Sequence, residues 1–188
     1  MATKSTPYEI KHQDIPGSYA KNVNFEEAFK KIFRALRDHI EDKKYNKALK
    51  DFILLVQLAN GMRISEAIEA TKKIIENETY ELQLEALKGG EARIVRVPPQ
   101  VPRNWITKLK KADRWPSKDA VIMYCKRTFG VNTHALRHAF ITYLARKGVS
   151  PQLIAKLTGH RKLDMILTYT SKARAEDIHK KILEELEG

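Results

Sequence analysis

Four side chains that could act on an oxyanion fall within the forty residues from Thr133 to Lys172: the imidazoles of His134 and His160, the guanidinium of Arg137 and the phenol of Tyr169. Together they suit phosphoryl transfer. A planar guanidinium captures two nonbridging phosphate oxygens at once and stabilises the charge they gain in the transition state. A phenol, with a reference pKa of about 10, attacks phosphorus only after its proton is accepted and its anion stabilised. The departing alkoxide then needs a proton donor, and a lysine can give one. Two further candidates lie upstream. Arg63 sits in Gly61-Met62-Arg63-Ile64-Ser65-Glu66-Ala67, and Lys88 sits in a Lys-Gly-Gly-Glu turn.

Each of these residues also has an ordinary reading. Tyr169 is one of seven tyrosines, and spacing alone gives it no priority over a packing role. His160, following Gly159, could simply finish a helix. Arg63 could solvate a turn or clamp an anion, and turn lysines such as Lys88 commonly face solvent. His134 and His138 are four apart and share a helix face, which invites a zinc reading. The glutamate of the zinc-protease pattern is missing, however, and no third ligand has suitable spacing. No metal and no cofactor are expected.

Positioning these groups falls to a mainly helical chain. Phe25, Ala28, Phe29, Ile32, Phe33, Leu36 and Ile40 recur at helical spacing behind Asn24, a cap with Glu27 three residues on. A second helix is expected from Lys44 to Asn60, stopped by Gly61. Ser65 is expected to cap a short third helix, leaving Arg63 in the turn before a positively polarised helix start. Residues 79–97 change period: Tyr80, Leu82, Leu84 and Ala86 alternate with polar residues, and Ile94, Val95 and Val97 follow the Lys88 turn. That pattern predicts a β-hairpin, with Ile74-Ile75 as a possible third strand. Helices are then expected through Trp105, Ile106 and Leu109, from Ala120 to Thr128, from Thr133 to Lys147, and from a Ser150 cap with Pro151 in its first turn to Gly159. A further helical stretch carries Leu163, Ile166, Leu167 and Tyr169.

Composition narrows the partner. With 35 Lys and Arg against 23 Asp and Glu the chain carries +12, and +9 of that falls within residues 101–150, where eleven basic side chains face only Asp113 and Asp119. Clustered positive charge attracts polyanions and releases their counterions, so nucleic acid is the leading partner, which the resemblance described below narrows to double-stranded DNA. The other reading is a solvated Lys/Glu surface of a heat-adapted protein. Cys125 is the only cysteine, which excludes an internal disulfide framework and suits a reducing compartment. No apolar run approaches the length of a membrane span. A cytoplasmic, nucleoid-associated protein without membrane contact is expected.

The five blocks Gly-Met-Arg63-Ile-Ser-Glu-Ala, Lys88-Gly-Gly-Glu-Ala-Arg-Ile-Val-Arg-Val-Pro, His134-Ala-Leu-Arg137-His138, Thr-Gly-His160 and Tyr169 resemble, in content and order, the tyrosine recombinase (phage-type integrase) catalytic domain. The likeness covers roughly residues 25–172. Its basic, cysteine-poor makeup is most similar to integrases of archaeal viruses or plasmids. The resemblance implies the tyrosine recombinase catalytic-domain fold, mainly α with a small antiparallel β-sheet. It also implies site-specific cleavage and rejoining of DNA through a 3′-phosphotyrosyl intermediate, without metal or ATP. By the same resemblance Arg63 and Arg137 would bind the scissile phosphate and Lys88 would protonate the 5′-oxygen. His134 would help accept the tyrosine proton, His160 would hydrogen-bond the phosphate and Tyr169 would be the nucleophile. His138 falls where the family has a second histidine of structural use.

Residues 1–24 then read as a flexible lead-in or linker stub, 25–172 as the catalytic domain and 173–188 as a helical tail. In the family a separate core-binding domain precedes the catalytic part and closes around DNA; here only unpatterned residues do. Gly-Gly-Glu after Lys88, where many relatives carry another basic residue, implies a weaker hairpin grip on DNA. The tail's Ile178, Ile182, Leu183 and Leu186 would pack on a neighbouring protomer in a synaptic tetramer. The alternatives are a type IB topoisomerase-like relaxing enzyme and a catalytically inactive basic DNA-binding protein.

Overall fold

In a computed structural model, residues 6–13, 22–85, 92–160, 163–164, 166–167 and 182–185 are described. Lys88 and Tyr169 lie outside them, as do most of the tail and the hairpin turn. The described elements are α1 (Phe25–Glu41), α2 (Tyr45–Asn60), α3 (Ile64–Asn77), α4 (Arg103–Leu109), α5 (Lys118–Phe129), α6 (Thr133–Arg146) and α7 (Pro151–Thr158). The strands are β1 (His12–Gln13), β2 (Asn22–Val23), β3 (Glu81–Leu84) and β4 (Arg93–Arg96).

Helix α2 is the axis. From Asp51 to Leu58 every residue is buried, which is the pattern of a helix enclosed on all sides rather than one lying on a surface. Helices α1, α3, α4, α5 and α6 and strand β4 all pack against it. Starts and stops follow the local chemistry. Asn24 accepts from the Glu27 amide at 2.9 Å, Asn132 from Ala135 at 2.7 Å and Ser150 from Leu153 at 3.3 Å, each satisfying an otherwise orphaned amide of a helix start. Strands β3 and β4 pair antiparallel, with Leu82 opposite Val95 and Leu84 opposite Arg93. Leu84 and Val95 turn inward, while Ile94 points out.

Two expectations are corrected. The third helix is not short and is not capped by Ser65: it begins at Ile64 with Arg63 as its cap residue, and the Glu66 carboxylate reaches back to the Arg63 amide at 3.0 Å. This is the glutamate half of a capping box, which satisfies the amide of the cap residue itself, and Ser65 is left exposed within the first helical turn. Ile74 and Ile75 belong to the last turn of this helix, their apolar pair facing the core rather than a sheet. The segment before α1 is docked where it is described: the Ile10 amide donates to the Phe129 carbonyl at 2.9 Å and its side chain is buried. Tyr8 donates to Asp38, and His12 pairs with Val23.

The core has two parts. The larger spans α1 to α6 and the hairpin. A smaller one is formed by Ile141 and Ala145 of α6, Ile154 and Ala155 of α7, and Ile166. Helix α6 joins the two, so its first turn, with His134 and Arg137, lies between the α2–α3 turn and the C-terminal helices.

Candidate active site

Arg137 is the centre of the site. Its residue is only 3 % exposed, and one guanidinium nitrogen, Nη1, donates to the carbonyls of Gly61 at 2.9 Å and Thr158 at 3.1 Å. Those bonds consume both Nη1 protons and fix the plane of the fork. They also tie the end of α2 to the end of α7. Nη2 lies 2.9 Å from Nε2 and 3.1 Å from Nδ1 of His160, leaving the second Nη2 proton and Nε–H for an anion. Burial, with Arg63 and Arg93 nearby, lowers Arg137 to about 10, so it remains charged at neutral pH.

The tautomer of His160 follows from Thr158. The threonine hydroxyl lies 2.6 Å from the Ile154 carbonyl, which can only accept, so its single proton is committed there. At 2.6 Å from His160 Nδ1 its oxygen must therefore accept, placing the ring proton on Nδ1. Nε2 is then the lone pair that takes the Arg137 bond. Burial first, then the Arg137 and Arg63 charges, lower His160 to about 4, so the ring is neutral at pH 7. As arranged, His160 holds Arg137; donating to a phosphate requires the ring to turn or to take up a proton.

Arg63 projects from the α3 start and is more than half exposed. Its Nη1 lies 3.4 Å from Glu66 Oε1, and its charge acts on Arg137, His134 and His160. Below it the turn is secured by Gln57, which is buried and donates to the carbonyls of Met62 at 3.2 Å and Thr133 at 3.0 Å. One side chain thus holds the Arg63 turn against the start of α6. Gly61 has φ +59°, and a Cβ there would stand 2.4 Å from Phe140 Cδ1.

His134 lies on the exposed face of the first α6 turn, its Nε2 2.6 Å from Nε2 of His138. Burial, then the Arg137 and Arg63 charges, lower its pKa. His138 is lowered to about 4 by burial first, then by His134 and Arg137. A neutral imidazole beside two guanidiniums is available to accept a proton. Among the described residues no group of three or more His, Cys, Asp or Glu could hold a metal ion, and no helix is long and apolar enough to cross a membrane.

Arg63, His134, Arg137 and His160 are therefore brought to one place. Lys88 and Tyr169 are expectations that lie outside the described residues. Of the stretch before Tyr169, Asp164, Ile166 and Leu167 are described and helical: the Leu167 amide donates to the Leu163 carbonyl at 2.8 Å, and Ile166 is buried against α6 and α7. Spacing did not reveal Glu66, Gln57, Thr158 or Arg93. The contacts of Gln57 with Thr133 and of Arg93 with Glu66 and Leu157 are remote in sequence, and the local ones of Glu66 and Thr158 depend on how the neighbouring chain ends are packed.

A cationic cluster of this kind on a basic helical domain suits a protein that handles the DNA backbone. Comparison with known proteins agrees. Residues 125–176 match the phage integrase family model. The chain is 36 % identical over 169 residues to a putative integrase of Acidianus two-tailed virus, covering 89 % of this chain and 70 % of the relative. It is 26 % identical over 204 residues to the tyrosine recombinase XerA of Pyrococcus horikoshii, covering 96 % and 68 %. It is also 29 % identical over 166 residues to the tyrosine recombinase XerC of Rickettsia bellii, covering 71 % and 51 %. The chain belongs to the phage integrase family of tyrosine recombinases. It is a site-specific DNA recombinase with DNA as its partner, and the relaxing-enzyme and inactive alternatives are not favoured.

Proposed function

We propose that Tyr169 cleaves and rejoins DNA in the pocket built around Arg137. Arg63 and Arg137 hold the nonbridging oxygens of the scissile phosphate. His134 accepts the phenolic proton as the Tyr169 oxygen attacks phosphorus, and Lys88 protonates the leaving 5′-oxygen. The product is a 3′-phosphotyrosyl link and a free 5′-hydroxyl. Reversal with a 5′-hydroxyl from another strand completes the exchange, and the link conserves the phosphodiester energy, so no ATP is consumed. Neither a metal nor another cofactor enters any step.

The observation that supports this most is the anchoring of Arg137: two carbonyls aim its guanidinium, and Arg63, His134 and His160 lie within electrostatic reach. Preorganised donors of this kind typically contribute about 100- to 1,000-fold in rate. Residues 25–172 form the catalytic unit in this reading. The 173–188 tail, whose Ile182 and Leu183 are each 49 % exposed, packs on an adjacent protomer in a synaptic tetramer. The working compartment is the cytoplasm, on nucleoid or element DNA.

The test is a nicked suicide duplex carrying the recombination site. Parent protein is expected to accumulate a covalent complex that Tyr169→Phe does not form; equal trapping by the variant removes the nucleophile assignment. For Lys88, a bridging 5′-thio substrate leaves without protonation and should restore Lys88→Ala. Failure to recover would remove the general-acid role. Truncation before Ala173 should abolish assembly on DNA, and intact assembly contradicts the tail's role.

A further inference from the structure

One buried cation near the pocket has no part in the chemistry just described. Arg93 begins β4, and its side chain is 10 % exposed. Nη2 lies 2.5 Å from Glu66 Oε2, and Nη1 donates to the Leu157 carbonyl at 3.4 Å. Its guanidinium also packs against Gly159, where an added Cβ would come within 3.1 Å of Nη1. Glu66 is the carboxylate that accepts from the Arg63 amide at 3.0 Å and faces Arg63 Nη1 at 3.4 Å. Leu157 and Gly159 are the turn that delivers Thr158 and His160 to Arg137.

A single guanidinium from the hairpin therefore touches both halves of the phosphate pocket. Only a fork can do this. A lysine is one compact charge and could satisfy Glu66 or the carbonyl, but not both in this geometry. Stability alone is a weak reason for such a pair, since an apolar replacement of similar volume commonly serves a buried site as well. Arg93 spends one proton of each terminal nitrogen on a protein acceptor, Glu66 on one side and the Leu157 carbonyl on the other.

We propose that Arg93 is a positioning residue for strand transfer: by locking Glu66 to the end of α7 it sets the spacing between Arg63 and the Arg137–His160 pair so that both meet one phosphate. The inference rests on the strand-transfer reading above and adds to it a determinant outside the family motifs' assigned roles. Its consequence is specific to charge. Misplacement of Arg63 and Arg137 matters for a substrate whose nonbridging oxygens gain charge, and matters much less when one of them is replaced by a neutral methyl group.

The experiment compares single-turnover cleavage of a suicide duplex with an ordinary scissile phosphodiester and one with a methylphosphonate at that position. Arg93→Ala strands the Glu66 carboxylate and is expected to lower the melting temperature. The informative variant is therefore Arg93→Lys, which keeps a charge opposite Glu66 and should fold with unchanged DNA affinity. Arg93→Lys is expected to cleave the phosphodiester up to about 100-fold more slowly than parent, the scale of a small misplacement of reacting groups. On the methylphosphonate it should fall within a few-fold of parent. Equal slowing on both substrates, or a phosphodiester rate within twofold of parent, would overturn the proposal. If the parent forms no covalent complex on either duplex, the strand-transfer reading itself fails, which distinguishes the two results.

Discussion

Thr158 shows how much chemistry one hydroxyl can direct. Its proton goes to the Ile154 carbonyl and its lone pair takes Nδ1–H of His160, so Nε2 is left to receive Arg137. Thr158→Val is nearly isosteric and removes that acceptor. The lost orienting bond, worth about 1 kcal/mol, should slow cleavage roughly fivefold with DNA affinity unchanged. Thr158→Ser should restore the rate, and failure to restore it would point to packing instead. At this scale the sequence was partly legible. His134 and Arg137 are three apart on one helix, so their shared face could be read directly. The bonds of Arg137 to Gly61 and of Arg93 to Glu66 join residues 76 and 27 positions apart, and no local pattern encodes them. For His160, the bond from Arg137 joins residues 23 positions apart and was not legible either.

The turn between α2 and α3 places Arg63, and it depends on Gly61 in two ways. Its left-handed conformation, φ +59°, strains any L side chain, and its Cα faces Phe140 and Thr158 with no room for a methyl group. Gly61→Ala is expected to cost about 2 to 4 kcal/mol from the αL penalty and overpacking together. A denaturant midpoint that falls at unchanged slope would show this, whereas unchanged stability would mean the turn tolerates a side chain. Helix stops of this kind were legible because glycine after an apolar-periodic run marks them. The α3 start was not. Ser65 is the better capping residue by type, but Glu66 can both reach back to the Arg63 amide and pair with Arg93, so tertiary contacts moved the boundary by two residues. Ile74-Ile75 misled for a related reason: two adjacent β-branched residues fit a strand by propensity, but packing against the core kept them helical.

Across the whole molecule, the pocket's positive charge is kept tolerable by neutral histidines. His138 and His160 stand at about 4 in the folded protein, against an ordinary value of 6.5, so the unfolded chain takes up their protons first as pH falls. Their contribution to stability is complete above about 6.5 and is lost progressively as pH drops toward 4. Asp51, buried between His39 and Tyr124, is raised to about 6 by burial and acts in the opposite direction over part of that range. With His134 also lowered, the histidines dominate, and the melting temperature should fall between pH 7 and pH 4.5. A melting temperature that rose over that interval would contradict the neutral-histidine picture. A nucleic-acid partner was legible from the +9 segment because net charge needs no fold to be read, and the motif blocks narrowed it to DNA. The docked lead-in was not, because burial of Ile10 depends on a surface formed by α5, more than a hundred residues away.

All of these scales meet in the identity of the nucleophile. After trapping on a suicide duplex, nuclease digestion leaves a short nucleotide on whichever side chain attacked, and tryptic mass mapping locates it. The expected adduct lies on Tyr169, within the peptide from Leu163 to Lys172, and disappears in Arg137→Ala. An adduct on any of the six other tyrosines, or on a serine, would contradict the pocket's assignment.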